Sequence, residues 1–170
     1  LDFKKNTYMM KKIIYGLLII GLTINCESNS KKNNNSSEKK VGKETSISKD
    51  LLLLTYDEMR YDQTSLTAKV GQKITLTLKH LGKLDKSIMG HNFVLLKKDA
   101  SVNKFINDAI AFASNDYIPK NSNDIIAYTK MLGGGESDTI TFEILDKGEY
   151  TFLCSFPGHG PLMQGVLIVS

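Results

Sequence analysis

A chain of 170 residues with 22 Lys and Arg against 18 Asp and Glu has room for a leader and one domain with its own core, but not for two domains of ordinary size. The net charge of +4 is unevenly placed: residues 1–25 carry +3 and residues 26–50 carry +2, which leaves residues 51–170 at −1. A near-neutral domain lacks the basic stripe that nucleic-acid binding needs, so no nucleic-acid partner is expected.

Lys11 and Lys12 followed by the apolar run Ile13 to Leu22 form the n-region and h-region of an export signal, with Met9 or Met10 as the expected start of translation. The run is too short to span a bilayer as a permanent helix. It ends at Leu22-Thr23-Ile24-Asn25-Cys26, which resembles a bacterial lipoprotein signal and makes Cys26 the expected site of lipidation and membrane anchoring; ordinary secretion is the alternative. Residues 1–25 are thus read as leader and residues 26–50 as the lipidated Cys and a flexible tether. Ser, Asn, Lys and Glu dominate that tether, so it cannot build a core.

Residues 51–170 read mostly as strand. Period-two alternation over Ile74-Thr75-Leu76-Thr77-Leu78 and Thr139-Ile140-Thr141-Phe142-Glu143-Ile144 marks half-buried antiparallel strands. Leu51 to Tyr56, Phe93 to Leu96, Tyr150 to Cys154 and Val166 to Val169 fit further short strands. Such spacing predicts an all-β sandwich or barrel. Val102, Phe105, Ile106, Ala109, Ile110 and Ala113 recur at helical spacing instead, so Ser101 to about Ser114 is expected to be an amphipathic helix outside the sheets. Gly133-Gly134-Gly135 has no following Lys-Ser/Thr and reads as a turn rather than a phosphate loop.

The chain has two cysteines, Cys26 and Cys154. With Cys26 acylated, Cys154 has no partner in an oxidising compartment, where a bound metal would keep its thiolate deprotonated and protected. A lone Cys is otherwise a small buried hydrophobe. Its neighbours favour the metal: Cys154, His159 and Met163 stand in a C-x4-H-x3-M loop, bringing together thiolate, imidazole and thioether. These donors select copper, and a His2Cys trigonal set with a long axial Met is the blue-copper arrangement. Among His80, His91 and His159, the second imidazole is expected from His91, which opens a strand and can point toward a loop at the same pole. Gly90 before it lets a backbone carbonyl approach a metal without a side chain in the way.

Met89-Gly90-His91-Asn92-Phe93-Val94-Leu95, together with Cys154-Ser155-Phe156-Pro157-Gly158-His159 and Met163, resembles the azurin branch of the cupredoxin family of blue copper proteins. Tyr117-Ile118-Pro119, Ala127-Tyr128-Thr129-Lys130, Gly133 to Asp138 and Gly165-Val166-Leu167 extend the likeness across the domain. The resemblance implies a Greek-key β-sandwich of about eight strands with one helical flap, and one type 1 copper ion near a pole. His91, Cys154 and His159 would be the strong ligands, Met163 the weak axial ligand and the Gly90 carbonyl the opposite axial contact. Asn92 would brace the ligand loop, and His80 would lie near the copper without binding it and respond to pH. An apolar patch of Gly90, Gly158, His159, Gly160, Pro161 and Leu162 would dock redox proteins such as a c-type cytochrome or a copper reductase or oxidase. The implied role is electron transfer in the periplasm or cell envelope, with copper storage or delivery as the alternative. Catalysis is not expected, because a closed trigonal set leaves no coordination position for a substrate. Two departures stand out: Phe93 occupies a position where many members carry Trp, and the family's usual disulfide pair is missing.

Overall fold

The computed structural model describes residues 48–170; the export signal, Cys26 and nearly all of the tether lie outside the described residues. Nine strands among the described residues form two sheets. The first holds β1 (Ser48–Tyr56), β2 (Glu58–Tyr61), β4 (Lys73–His80) and β7 (Ser137–Glu143) in the order β2-β1-β4-β7. The second holds β3 (Ser65–Ala68), β5 (Val94–Leu96), β6 (Ile125–Tyr128), β8 (Gly148–Leu153) and β9 (Gln164–Val169) in the order β3-β9-β8-β5-β6. The pairs β1–β4 and β3–β9 are parallel and the others antiparallel, as expected when strands cross between the two layers of a Greek-key sandwich. One strand beyond the expected eight arises because Glu58–Tyr61 folds back on β1 after a register shift between Thr55 and Tyr56.

Alternation in β4 fixes what faces inward. Ile74, Leu76 and Leu78 are fully buried, while Thr75, Thr77 and Lys79 face outward, where the Thr77 and Thr139 hydroxyls lie 2.9 Å apart. The inward residues pack with Leu53, Phe93, Phe142, Phe152 and Leu167 between the sheets. Phe93 fills the middle, its ring 5.3 Å from Phe152 and 6.5 Å from Phe142.

Strand β5 is buried on both faces, and the helix is the reason. Helix α2 (Val102–Ala109) starts at Ser101, whose Oγ accepts from the Lys104 N–H at 3.4 Å, and lays Phe105 and Ala109 on Val94, Leu96 and Leu153. The sequence predicts one helix to about Ser114, but the α-helix ends at Ala109. A 3-10 segment, Ile110–Asn115, follows and is broken at Phe112. Three residues per turn instead of 3.6 rotates the apolar face, so Ile110 and Ala113 point to solvent. The one-turn helix α1 (Lys86–Met89) and strands β2, β3 and β6 have too few alternating apolar residues to be visible in the sequence.

Candidate metal centre

Strand β8 delivers Cys154 one residue beyond its end. Tyr150 and Phe152 face the core, so Cys154 does too, fully buried. The β8–β9 register pairs Leu153 with Gln164, and the Cys154 N–H donating to the Met163 carbonyl at 3.0 Å continues the ladder by one pair. Cross-strand partners share a face. Register therefore brings Met163, also fully buried, to the side of the hairpin that carries Cys154. Between them the chain turns tightly: the His159 N–H donates to Phe156, and the His159 carbonyl accepts from Leu162 and Met163. Gly158 supplies the left-handed conformation this turn needs, with φ of +83°.

His91 arrives from the segment before β5, the strand that pairs with β8 through Val94 and Leu153. It does not open a strand as the sequence suggests; it forms an isolated bridge with Leu132, through hydrogen bonds of 3.0 and 2.8 Å, three residues before β5. Its Nε2–H donates to the Tyr56 carbonyl at 2.7 Å, which fixes the tautomer and leaves the Nδ1 lone pair directed at the sulfur, 4.0 Å away. His159 Nδ1 lies 3.7 Å from the same sulfur. His91, Cys154 and His159 thus place their ligand atoms within 4.8 Å of one another, all buried. The Gly90 carbonyl is 3.8 Å from the sulfur. Glycine at position 90 has a further steric reason: a Cβ there would stand 2.4 Å from the Lys86 carbonyl and 3.0 Å from the Met131 thioether.

Burial governs the protonation of all three donors. It pushes the Cys154 thiol up to about 11, opposed by hydrogen bonding from the Asn92 and Phe156 backbone amides. It lowers His91 to about 4 and lowers His159 as well, so both imidazoles are neutral and able to donate lone pairs at neutral pH.

Asn92 lies where it can hold the ligand loop. Its Oδ1 accepts from the Ser155 N–H at 2.9 Å, and its Nδ2 donates to Ser155 Oγ at 2.8 Å and to the Asp116 carbonyl at 3.2 Å. These bonds reach across the fold to residues 24 and 63 positions away. Tyr61, which the sequence does not single out, donates its phenol to the Asn92 carbonyl at 2.6 Å. His80 stacks on His91 with centroids 4.8 Å apart. Its Nδ1 accepts from the Gly82 N–H and its Nε2 donates to the Met89 carbonyl, so neither nitrogen is available to a metal.

The apolar patch is narrower than expected. Gly158, Pro161 and Leu162 are exposed, Leu162 to 68%, whereas Gly90 and Gly160 are buried. Gly160 lies under helix α2, where a Cβ would meet Ile106 at 2.6 Å. His159 is 4% exposed. Its Nε2 has no partner among the described residues, none of which holds a buried unpaired side-chain nitrogen or oxygen, so this ring edge reaches solvent.

The donor set fits a copper ion. Bonds of about 2.0–2.3 Å from imidazole and thiolate, meeting at about 120°, separate donors by roughly 3.5–3.8 Å, close to the 3.7 and 4.0 Å found here. Two nitrogens, one sulfur and a neighbouring thioether are softer than a magnesium or calcium site.

The fold and this donor set define a cupredoxin. A family described as copper binding proteins, plastocyanin/azurin family, matches residues 49–170, and the chain belongs to it. Azurin-1 of Alcaligenes xylosoxydans xylosoxydans is 46% identical over 116 residues, covering 65% of this chain and 89% of the relative. An azurin from Methylomonas sp. strain J superposes with a TM-score of 0.66 at 32% identity, covering 71% of this chain and 97% of the other. Reduced auracyanin from Roseiflexus castenholzii gives a TM-score of 0.65 at 36% identity, covering 73% and 98%. Copper is accordingly the cofactor of this domain.

Proposed function

We propose that this chain is a type 1 blue copper electron-transfer protein that cycles between Cu(II) and Cu(I). His91 Nδ1, Cys154 Sγ and His159 Nδ1 are the strong ligands, the Met163 thioether the weak axial ligand and the Gly90 carbonyl the opposite contact. The observation that carries this reading is the burial of three donors within 4.8 Å of one another. Bound copper supplies the one-electron couple. The protein supplies a thiolate path for the electron, imidazoles that suit Cu(II), a thioether that favours Cu(I), and a hydrogen-bonded frame around the donors. Storage or delivery shares these ligands but favours exposed, exchangeable sites; the burial of His91, Cys154 and His159 supports a carrier.

The electron leaves by the solvent-facing edge of His159. Gly158, Pro161 and Leu162 form the docking rim for redox proteins such as a c-type cytochrome or a copper reductase or oxidase, while Gly90 and Gly160 shape the site from below. His80 acts as a neighbour of His91 and not as a ligand, its ring nitrogens held by the Gly82 N–H and the Met89 carbonyl. The domain works in the periplasm or cell envelope after export, held by a lipid on Cys26 through the polar tether. Support for the anchor is the leader and its Leu22 to Cys26 box.

Addition of Cu(II) to the purified protein tests the central reading. An intense thiolate-to-copper visible band with narrow copper hyperfine splitting is expected, absent in Cys154→Ser. A pale, ordinary cupric spectrum would sink it. Membrane fractionation of wild type against Cys26→Ser tests the anchor, with retention lost in the variant; unchanged retention would rule out lipidation at that residue.

A further inference from the structure

Asp116 and Tyr117, where the helical flap ends, both adopt left-handed backbone conformations, with φ of 52° and 57°. Such angles are costly for residues that carry a Cβ and persist only where surrounding contacts hold them. The Asp116 and Tyr117 N–H groups both donate to the Phe112 carbonyl and close the flap; the remaining contacts lead to the metal centre. The Asp116 carbonyl accepts from Asn92 Nδ2 at 3.2 Å and from Ser155 Oγ at 3.4 Å, and its Oδ2 accepts from the Met131 N–H at 3.2 Å. Asn92 follows His91, Ser155 follows Cys154, and Met131 precedes Leu132, the bridge partner of His91. The Tyr117 ring meets Phe156 edge-on at 5.5 Å, and Phe156 lies 4.5 Å from the His159 ring.

We propose that Asp116 is a positioning residue of the metal centre: from outside both sheets it ties the segments bearing His91, Leu132 and Cys154 into one unit and sets the donor spacing before metal arrives. It touches neither the thiol nor the imidazoles. Its carbonyl holds Asn92 and Ser155 together, so the backbone of Cys154 cannot turn independently of that of His91. Its carboxylate holds Met131, and through it the bridge that orients His91. The proposal rests on the copper reading of the site.

Three variants separate the contributions. Asp116→Gly keeps the left-handed turn and the carbonyl but removes the carboxylate; Asp116→Ala also removes the ease of that turn; Asp116→Asn keeps both the turn and a side-chain acceptor. In the metal-free protein, amide hydrogen exchange at Met131 should quicken by about tenfold or more in the Ala and Gly variants, while Ser155 should quicken in Ala alone. Asn should restore both rates. Loaded with Cu(II), Ala should show a weaker blue band, wider hyperfine splitting and a shifted reduction potential, with Asn again close to wild type. Wild-type exchange at Met131 in the Gly variant, or an unchanged spectrum and potential in a folded Ala variant, would overturn the proposal. So would a uniform loss of protection extending to β4, which would make Asp116 a residue of general stability. If Ala does not fold, the Gly and Asn variants decide. A wild-type protein that never turns blue would refute the copper reading while leaving the metal-free exchange result to stand by itself.

Discussion

Metal uptake should displace one proton per copper across a wide pH range, and the burial of Cys154 sets that range. The thiol holds its proton up to about 11, whereas His91 is neutral above about 4. Between about pH 7 and pH 10, where both imidazoles are neutral, binding therefore exchanges one thiol proton for the metal, and the apparent affinity rises tenfold per pH unit. From pH 7 to pH 9 this amounts to about a hundredfold, or roughly 2.7 kcal/mol at 1.36 kcal/mol per unit. An exposed thiol would flatten the curve near its ordinary value of about 8.5; this one should keep climbing beyond it. Toward lower pH, below about 6.5, the slope steepens, because His159 and His91 must also lose protons. Cu(I) competition against a chromophoric chelator of known proton affinity gives the slope, and a pH indicator in weak buffer gives the protons released at pH 7. A flat profile from pH 7 to pH 9, or a break near 8.5, would refute the reasoning; Cys154→Ser should remove the slope.

Phe93→Ala should destabilise the metal-free protein by about 3–5 kcal/mol, read as a lower urea midpoint at unchanged slope, because the ring is fully buried between Phe142 and Phe152. The metal-free protein should lose stability as pH falls from about 6.5 toward about 4. Over that interval the unfolded chain takes up a proton at His91 that the folded one refuses; urea titrations at a series of pH values check this. Met163→Leu should keep the blue band while raising the reduction potential, measured by voltammetry, since the axial bond is weak and the replacement more apolar.

Residue type and period are properties of the chain itself, and they carried much of this protein. The alternation in Ile74 to Leu78 dictates a half-buried strand wherever it pairs, and the run from Cys154 to Met163 carries its copper chemistry in three side chains within a ten-residue span. Short edges were harder to see: Glu58–Tyr61, Ser65–Ala68 and Ile125–Tyr128 form strands because neighbours offer them a ladder, not because their own pattern demands it. The loss of helical period after Ala109 likewise follows from packing, as the flap tightens to meet the chain reversal at Asp116. The site divides in the same way. Its donors were legible as donors, but their spacing, the tautomer of His91 set by the Tyr56 carbonyl, and the recruitment of Asp116 and Tyr61 depend on groups 24 to 39 residues apart in sequence. Local chemistry reports which atoms can bind copper; only the packed sandwich, by excluding water and fixing those distant partners, decides that they form a neutral, closed site.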